Sequence, residues 1–322
     1  MREVDVAVIG AGPAGLFAAY YAGFRGLRVA VVDTLPEPGG QVTAMYPEKD
    51  IFDVAGLPVI KGRALVADLV TQAAAYDPLY LLGVRAEKLS HRDDGRPVLH
   101  LADGVDLGCG AVIITGGLGG FSPRPLPAAA GHPGTGVVYF VPRLDALAGQ
   151  DVVIVGGGDS AFDWALALHQ IARTVTLVHR RDRFRAHAAT VARVQALPVR
   201  ILVNAQLTAL HGGDRVTAAD IAVDGEVRRV PADTVVAALG FTADLGPLAD
   251  WGLRLDRRHV LVSSTMATNL PRVFAAGDIV EYPGKVRLIA TGFGEAATAV
   301  NNAAVAIDPA AHLFPGHSSE AG

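Results

Sequence analysis

A short loop near the N-terminus has the residue types and the spacing of a dinucleotide-binding turn. It consists of Gly10, Gly12, Pro13, Ala14 and Gly15, and it follows the apolar run VDVAVI. In a GxGxxG loop the first glycine permits a tight turn, the second lets the backbone approach a pyrophosphate, and the third lets helix and strand pack closely. The sequence therefore predicts that these five residues bind a cofactor at the start of a helix, where the N-terminus favours phosphate charge.

An acidic residue narrows the choice of dinucleotide that this first loop could bind. Asp33 lies 18 residues after Gly15 and ends a second apolar run, LRVAVVD. A carboxylate roughly 20 residues after the loop holds the ribose hydroxyls of an adenine dinucleotide and disfavours a 2'-phosphate. NAD and FAD present the same ADP half, so these residues leave the choice between them open.

A second loop of the same type occurs 146 residues further along the chain. Its sequence, GGGDSA, places Gly156 and Gly158 in the first two glycine positions and Ala161 in the third. Asp159 and Ser160 stand at the predicted start of the following helix. We expect the glycines and these two polar residues to bind a second dinucleotide.

The segment HRRDRFRAH, residues 179–187, distinguishes the second site from the first, and we call it the basic segment. His179 lies 18 residues after Ala161, the position that Asp33 occupies in the first unit, and Arg180 and Arg181 follow it. Arginines accept a ribose 2'-phosphate with charge-assisted, often bidentate hydrogen bonds. These residues, helped by Arg185, predict NADP(H) in the second site, and the alternative is an ordinary solvated charged turn.

The elements that position these residues form a duplication. Residues 4–33 and 151–181 share the order strand, glycine turn, helix and strand, and this order produces a parallel sheet. The predicted fold class is therefore α/β, with two Rossmann-like dinucleotide-binding domains in one chain.

Composition excludes several other classes of protein. The chain has 322 residues, 51% of them hydrophobic, which is enough for two buried cores, and its net charge of -4 argues against a nucleic acid partner. No apolar run reaches the ~18 residues of a membrane helix, so we expect no membrane partner. The N-terminus lacks a basic-then-apolar targeting pattern, and the single cysteine suits a reducing compartment, so we expect a cytoplasmic protein.

Several motifs spread over nearly the whole chain support a family resemblance. They are GAGPAGLFAAYYAG (10–23), LPEPGGQVTAMYPEKDIFDVAGLP (35–58), GGGDSAFDWALAL (156–168), the basic segment, FAAGDI (274–279) and GFGEAATAVNNA (292–303). With these motifs the chain resembles the thioredoxin reductase-like flavoproteins and, among them, the ferredoxin–NADP reductases of that type. The resemblance implies FAD in the first site and a homodimer of two-domain subunits, with NADPH in the second site as the arginines predict. It also implies that an NADPH-binding domain, 118–241, is inserted into a discontinuous FAD-binding domain, 1–117 and 242–322.

The chain departs from thioredoxin reductases in its cysteines. Thioredoxin reductases carry a CxxC pair shortly before the second glycine loop, whereas the matching stretch of this chain, 136–150, contains no cysteine. The one cysteine, Cys109, stands at a predicted strand start and is expected to be a packed thiol. A disulfide relay within the chain is therefore impossible, and electrons must leave the flavin directly, which favours ferredoxin or flavodoxin as the partner.

The resemblance also implies roles for individual residues near the flavin. The Gln41 side chain is expected to bond the ring edge, and Tyr46 to stack on the isoalloxazine. The Ala86 backbone is expected to contact the adenine end, and Phe121 to make an apolar contact. Asp278, in AAGD, is expected to accept ribityl hydroxyl bonds, with a helix N-cap as its alternative role.

Two further elements are expected to act at the flavin. Residues 292–306 predict a helix whose N-terminus would favour the reduced, anionic ring. In the C-terminal tail, His317 would stack over the flavin of the partner subunit and Ser319 would bond near it, unless the tail is a frayed terminus.

The sequence predicts no metal ligands and no catalytic side chain, because hydride transfer depends on binding and orientation. Three alternatives stay open. The chain could be an NADPH–flavin or quinone reductase with a small-molecule acceptor, a non-catalytic dinucleotide-binding redox sensor, or a thioredoxin reductase with an unusual disulfide.

Overall fold

A computed structural model describes residues 1–117, 120–314 and 316 of the chain. The chain forms two compact units: Met1–Phe121 together with Ala243–Gly322 is unit 1, and Ser122–Thr242 is unit 2. Unit 2 is thus inserted into the chain of unit 1. In the described residues, every helix is too short or too polar to cross a membrane.

The strands follow one another along the chain in short segments. They are β1 Arg2–Ile9, β2 Val29–Asp33, β3 Asp50–Ile51, β4 Ile60–Lys61, β5 Leu79–Leu82, β6 Ala86–His91, β7 Pro97–Leu101, β8 Asp106–Ile114, β9 Gly120–Pro123, β10 Val137–Val138, β11 Asp151–Val155, β12 Thr174–Val178, β13 Val199–Leu202, β14 Ala205–His211, β15 Ala218–Val223, β16 Glu226–Pro231, β17 Thr234–Ala237, β18 Phe241–Asp244, β19 Leu255–Asp256, β20 His259–Leu261, β21 Val273–Ala275 and β22 Val280–Glu281.

The α-helices are α1 Pro13–Phe24, α2 Gln41–Met45, α3 Gly62–Ala74, α4 Asp159–Leu168, α5 Ala188–Gln195 and α6 Ile289–Ile307. Short 3-10 helices cover Pro127–Ala129, Leu144–Leu147 and Gly246–Asp250.

The main sheet of unit 1 has the strand order β5-β2-β1-β8-β7-β6, with β21 pairing with β8. Strands β5, β2, β1, β8 and β21 run parallel, whereas β6, β7 and β8 form an antiparallel meander. The register of β1 on β2 pairs Val6 with Val29 and Ile9 with Val32. This register brings the loop after β1 beside Asp33, the last residue of β2.

Small residues let two helices of unit 1 approach closely over the sheet. Ala18 and Ala22 of α1 and Ala299 and Ala303 of α6 are fully buried in one apolar cluster. Without bulky side chains between them, the two helices hold their first turns close to the end of β1. The first glycine loop and the start of α6 are therefore held close together.

Unit 2 is built from a parallel sheet and an antiparallel one. The parallel sheet has the order β10-β17-β11-β12-β13, and β14, β15 and β16 form the antiparallel sheet. Val153, Val178 and Val235 of the first sheet and Leu207 and Ile221 of the second are buried in one cluster. The predicted fold class, two Rossmann-like domains with one inserted into the other, is confirmed.

Two expectations about helix starts need correction. The predicted helix of residues 292–306 begins three residues earlier, at Ile289, because a carboxylate oxygen of Asp53 accepts the Ile289 N–H at 3.0 Å and satisfies the first turn. The alternative role of Asp278 as a helix N-cap was wrong, since β22 follows it and the N-cap of α6 is Leu288.

Candidate functional site

The first loop lies at the turn between β1 and α1, and close backbone contacts require two of its three glycines, Gly10 and Gly15. Gly10 has a φ of +108°, and a Cβ there would lie 2.8 Å from the Gly116 backbone. A Cβ on Gly15 would lie 1.8 Å from the Gly10 carbonyl oxygen. A Cβ on Gly12 would meet nothing within 4 Å, so the middle of the loop is open to a ligand. Pro13 occupies the first turn of α1, where its missing N–H costs nothing.

The Asp33 carboxylate ties the end of β2 to this loop. One oxygen accepts the Ala11 N–H at 2.6 Å, and the other accepts the Leu35 N–H at 2.8 Å. Carboxylates that accept backbone N–H groups are held in a fixed orientation. Asp33 is thus held against the first loop.

The PGGQ segment lies directly against the first loop. The Gly39 N–H donates to the Ala11 carbonyl at 2.8 Å, and a Cβ on Gly40 would lie 3.0 Å from the Gly12 Cα. Gln41 starts α2, and its side-chain amide nitrogen lies 3.2 Å from the position of a Cβ on Gly117. The structure therefore brings Gln41 to the loop that follows β8.

Tyr46 and Asp278 share one environment in unit 1. Burial, with a smaller contribution from the Asp278 charge, raises the pKa of Tyr46 to about 12. Solvent reaches Asp278, yet the surrounding protein desolvates its carboxylate and raises its pKa, while Lys285 and Arg287 oppose that rise. Tyr46 is therefore a neutral phenol at physiological pH.

A buried ion pair supports the AAGD turn, and sequence reasoning missed it. The Glu295 carboxylate, 5% exposed, accepts bonds from Lys285 Nζ at 2.5 Å, the Tyr282 hydroxyl at 2.6 Å and the Gly277 N–H at 2.8 Å. Breaking such a pair leaves an unpaired buried charge, at a cost of roughly 3–5 kcal/mol. The sequence did contain a signal for this ion pair, since Glu295 is the one charged residue within the predicted helix 292–306.

Ala14, Gly277 and Gly292 converge at this point. A Cβ on Gly277 would lie 3.2 Å from the Ala14 Cβ, and a Cβ on Gly292 would lie 3.5 Å from the Gly277 Cα. The AAGD turn, the start of α1 and the first turn of α6 are therefore in contact. Glu295 fixes the AAGD turn to α6, which positions Asp278 next to the first loop.

The second loop, between β11 and α4, repeats this geometry with different neighbours. A Cβ on Gly156 would lie 2.4 Å from the Ala238 carbonyl oxygen, whereas a Cβ on Gly158 would meet nothing within 4 Å. A Cβ on Gly157 would lie 2.3 Å from the His179 imidazole. Ala161 takes the third position and is fully buried, so helix α4 tolerates a methyl group there.

The basic segment folds back onto the second loop. Phe184 packs edge-on against Phe162 of α4, with 4.8 Å between ring centroids. The Arg185 N–H donates to the Gly157 carbonyl at 2.8 Å, and the His187 N–H donates to Asp159 Oδ1 at 2.8 Å. Asp159 thus orients the basic segment rather than pointing unpaired at a ligand.

His179 lies between the loop and the basic segment. Its Nε2 lies 3.2 Å from the Arg183 carbonyl oxygen, and its ring lies 5.4 Å from that of Phe184. Desolvation lowers the pKa of His179, the Arg183 carbonyl partly opposes this, and Arg180, Arg181 and Arg185 lower it further. In the free protein His179 is therefore neutral at physiological pH, and the arginines carry the positive charge.

A cavity of about 550 Å³ collects the predicted residues of the second site. It is lined by Gly156, Gly158, Asp159, Ser160, His179, Arg180, Arg181 and Arg185. Arg124 and Arg183 also line it, and sequence reasoning missed both. Arg183 could have been found from its place in the basic segment. Arg124 lies far away in sequence and carries no local signal.

The remaining candidates lie in different surroundings. Ala86 is buried at the start of β6, at 7% exposure. Phe121 lies in β9, but its side chain, like His317 and Ser319, is outside the described residues. Cys109 is buried at 2% exposure, and burial raises the pKa of its thiol to about 12. Its interpretation as a packed thiol agrees with this environment.

The two sites are suited to different ligands. The first combines an open glycine turn with a fixed carboxylate, which suits a dinucleotide with a free 2'-hydroxyl. The second combines an open glycine turn with arginines, which suits a dinucleotide carrying a 2'-phosphate. Within residues 1–117, 120–314 and 316, no cluster of three or more His, Cys, Asp or Glu side chains could hold a metal ion.

Known proteins resemble this chain over nearly its whole length. Residues 4–303 match the family described as Pyridine nucleotide-disulphide oxidoreductase. The protein named Ferredoxin--NADP reductase of Salinispora arenicola is 76% identical over 321 residues, covering 99% of each chain. The protein of the same name from a Nocardioides species is 64% identical, covering 99% of this chain and 97% of the relative.

A solved structure has the same fold. The crystal structure of T. acidophilum thioredoxin reductase aligns with a TM-score of 0.77 at 27% identity, covering 93% of this chain and 97% of the other.

Proposed function

The chain belongs to the pyridine nucleotide-disulphide oxidoreductase family, and on that premise we propose that it is a ferredoxin–NADP(+) reductase, an FAD-dependent enzyme that transfers electrons between NADPH and ferredoxin or flavodoxin. The observation that carries the proposal is the opposite charge at equivalent positions of the two loops. Asp33 stands at the first loop, and the basic segment stands at the second. FAD has a free ribose 2'-hydroxyl and NADPH a 2'-phosphate, so each ligand matches one loop.

The cysteine content argues against a disulfide relay between the flavin and its acceptor. The whole sequence contains one cysteine, and it is buried, so no pair of thiols can relay electrons within the chain. A bound FAD would supply chemistry that couples two-electron hydride acceptance from NADPH to the release of single electrons. A one-electron carrier protein such as ferredoxin suits the release of single electrons from the flavin.

The FAD contacts belong to unit 1 in this proposal. The first loop would hold the pyrophosphate, Asp33 the adenosine ribose, and Ala86 the adenine end. Gln41, Tyr46 and Phe121 would contact the ring, and Asp278 the ribityl chain. The contacts within unit 1 that hold Asp33, Gln41, Tyr46 and Asp278 near the loop or the AAGD turn support these roles.

The NADPH contacts belong to unit 2. Gly156, Gly158 and Ser160 would face the pyrophosphate, and Asp159 would orient the basic segment. Arg180 and Arg181, with His179 and Arg185, would hold the 2'-phosphate. No side chain needs to donate or remove a proton during hydride transfer, so the residues act by binding and orientation.

The proposal extends to the domains, the assembly and the location. Residues 1–117 and 242–322 would bind FAD and residues 118–241 NADPH. Two chains would form a homodimer in which His317 and Ser319 of one chain cover the flavin of the other. The cytoplasm is the proposed location, in keeping with the single cysteine.

An acceptor panel tests the proposal. Purified, FAD-loaded protein is supplied with NADPH and, in turn, with ferredoxin, flavodoxin, free flavin, a quinone and thioredoxin. We expect the highest kcat/KM with ferredoxin or flavodoxin. Turnover of ferredoxin no faster than that of free flavin would contradict the proposal and favour a small-molecule acceptor, and turnover of thioredoxin would refute the cysteine argument.

A further inference from the structure

In the part of the chain that the structure describes, the guanidinium groups of the arginines lining the cavity of unit 2 have no protein partners. Five arginines line it: Arg124, Arg180, Arg181, Arg183 and Arg185. Within residues 1–117, 120–314 and 316, none of these five guanidinium groups forms a hydrogen bond or an ion pair with another protein group. Five arginines at one cavity, with Asp159 as the one carboxylate among its lining residues, give it a net positive charge and indicate an anionic ligand.

Several arginines elsewhere in the chain are paired with carboxylates. Arg28 pairs with Asp5 at 2.9 Å, Arg173 with Asp151 at 2.7 Å, and Arg229 with Asp220 at 2.8 Å. These residues stabilise the fold or its surface through carboxylates of the same chain. Within the described ranges, the five guanidinium groups of the cavity have no such carboxylate partner and are available to bind an anion.

Arg124 differs from the other four in its position. Four of the arginines belong to the basic segment, which follows β12. The Arg124 N–H donates to the Gly240 carbonyl at 3.0 Å, and Gly240 follows β17. In the order β10-β17-β11-β12-β13, strands β17 and β12 lie on opposite sides of β11, which carries the second glycine loop. Arg124 and the basic segment therefore flank the loop from opposite sides.

This arrangement assigns Arg124 to a particular part of the ligand. A dinucleotide with its 2'-phosphate on the basic segment crosses the loop at Gly156–Gly158 and continues toward β17. The anionic group on that path is the pyrophosphate. The N-terminus of α4 attracts it, but the carboxylate of Asp159 stands in the first turn of α4 and weakens that attraction. A cation on the opposite wall offsets that carboxylate.

We propose that Arg124 binds the pyrophosphate of the nicotinamide dinucleotide. It thereby sets the affinity for NADPH and NADH alike, whereas Arg180 and Arg181 set the choice between them. This inference rests on the proposed function only in taking a pyridine dinucleotide as the ligand of unit 2.

Competition titrations against NADP+ with two fragments separate these roles. ADP-ribose carries the pyrophosphate without a 2'-phosphate, and 2'-AMP carries a 2'-phosphate without the pyrophosphate. In Arg124→Ala we expect the dissociation constants of NADP+ and ADP-ribose to rise roughly 10-fold, since a charge-assisted hydrogen bond to the pyrophosphate is lost, while that of 2'-AMP stays within about twofold. Arg181→Ala should show the reverse pattern with the two fragments.

Two controls keep the result interpretable. Arg228→Ala removes an exposed arginine of unit 2 that pairs with Glu226 outside the cavity, and it should change none of the three constants. Arg124→Lys retains the charge and should recover most of the ADP-ribose affinity, and it also serves if the alanine variant fails to fold. Bound-flavin absorbance and the thermal unfolding temperature verify the fold of each variant.

The outcomes that overturn the inference are distinct from those that overturn the function. An Arg124→Ala protein that loses 2'-AMP affinity, or that keeps full ADP-ribose affinity, contradicts the assignment of Arg124. A wild-type protein that binds no NADP+ contradicts the proposed function itself. The titrations involve no ferredoxin, so the identity of the acceptor does not affect them.

Discussion

The two glycine loops differ at the residue after the first glycine, which is Ala11 in unit 1 and Gly157 in unit 2. The neighbouring strand explains the difference. After β2, Asp33 reaches the Ala11 N–H with a small carboxylate, which leaves room for a methyl group. After β12, the His179 ring occupies that space, and a Cβ on Gly157 would lie 2.3 Å from it.

At the third position of the motif the glycine is in unit 1 instead: this residue is Gly15 in unit 1 and Ala161 in unit 2. Gly15 admits no side chain, because a Cβ there would lie 1.8 Å from the Gly10 carbonyl and 2.6 Å from the Thr115 hydroxyl. In unit 2 the strand corresponding to β8 ends at Ala237, Ala238 follows without a hydroxyl, and Ala161 fits. The glycine pattern of each loop thus depends on the backbone and side-chain atoms that contact it.

Replacing Gly15 by alanine should produce the largest difference between the two loops. The new Cβ would clash with fixed backbone, so we expect a loss of more than about 3 kcal/mol of unfolding free energy and loss of bound FAD. The mirror substitution, Ala161→Gly, leaves space and should cost only about 1 kcal/mol through helix propensity. Thermal unfolding and flavin absorbance measure both, and a Gly15→Ala protein with full FAD and an unchanged unfolding temperature would refute the packing argument.

Removing two arginines of the basic segment, and with them the charge difference between the two loops, should give the next largest effect, on the preference for NADPH over NADH. In the double variant Arg180→Ala/Arg181→Ala we expect the ratio of kcat/KM for NADPH over NADH to fall roughly 100-fold, because charge-assisted bonds to the 2'-phosphate are lost. Bound FAD should be unaffected, since Asp33 and the first loop are intact. The matched control is Arg228→Ala, and an undiminished ratio in the double variant would return the basic segment to an ordinary charged turn.

A substitution at Gly157, which contacts His179, should have a smaller effect on the KM for NADPH, and this effect should depend on the His179 side chain. Gly157→Ala is expected to displace the imidazole and raise the KM for NADPH about 10-fold, the scale of an overpacked contact of 1–3 kcal/mol. In a His179→Ala background the same substitution should add little, because the clashing ring is gone. Equal effects in the two backgrounds would show that the two residues are not coupled.

The smallest expected effect is a pH dependence. The pKa of His179 is lowered in the folded state, so between that value and about 6.5 the unfolded chain binds more protons and stability rises with pH. His179 is partly exposed, so solvent screening keeps this contribution below about 1 kcal/mol. Thermal unfolding from pH 5.5 to 7.5 should show wild type gaining relative to His179→Gln as pH rises, and a flat or opposite trend would contradict desolvation of the imidazole as the cause.

Local patterns predicted most of the fold, because the determinants are adjacent in sequence. The glycine spacing, the apolar runs around it and the duplication are each contained in about 30 residues. Asp33 and His179 were found because a fixed offset from each loop places them at the end of the neighbouring strand. The functional roles of these residues remain predictions.

What could not be predicted depends on contacts between distant parts of the chain. Asp53 caps α6 from 236 residues away, so the helix start could not be located from its own sequence. Arg124 reaches the cavity through its bond to Gly240, and Glu295 meets Lys285 only because the AAGD turn folds against α6. Such contacts are determined by packing, which periodicity does not encode.

The solitary cysteine has a practical consequence. Its Sγ donates to the Leu107 carbonyl at 3.3 Å inside β8, and with a pKa of about 12 almost none of it is thiolate at neutral pH. Maleimide dyes should therefore not react with Cys109 in the folded chain. One cysteine introduced on the exposed surface of each unit would give a selectively labelled pair, and fluorescence energy transfer could then follow the distance between the units during turnover.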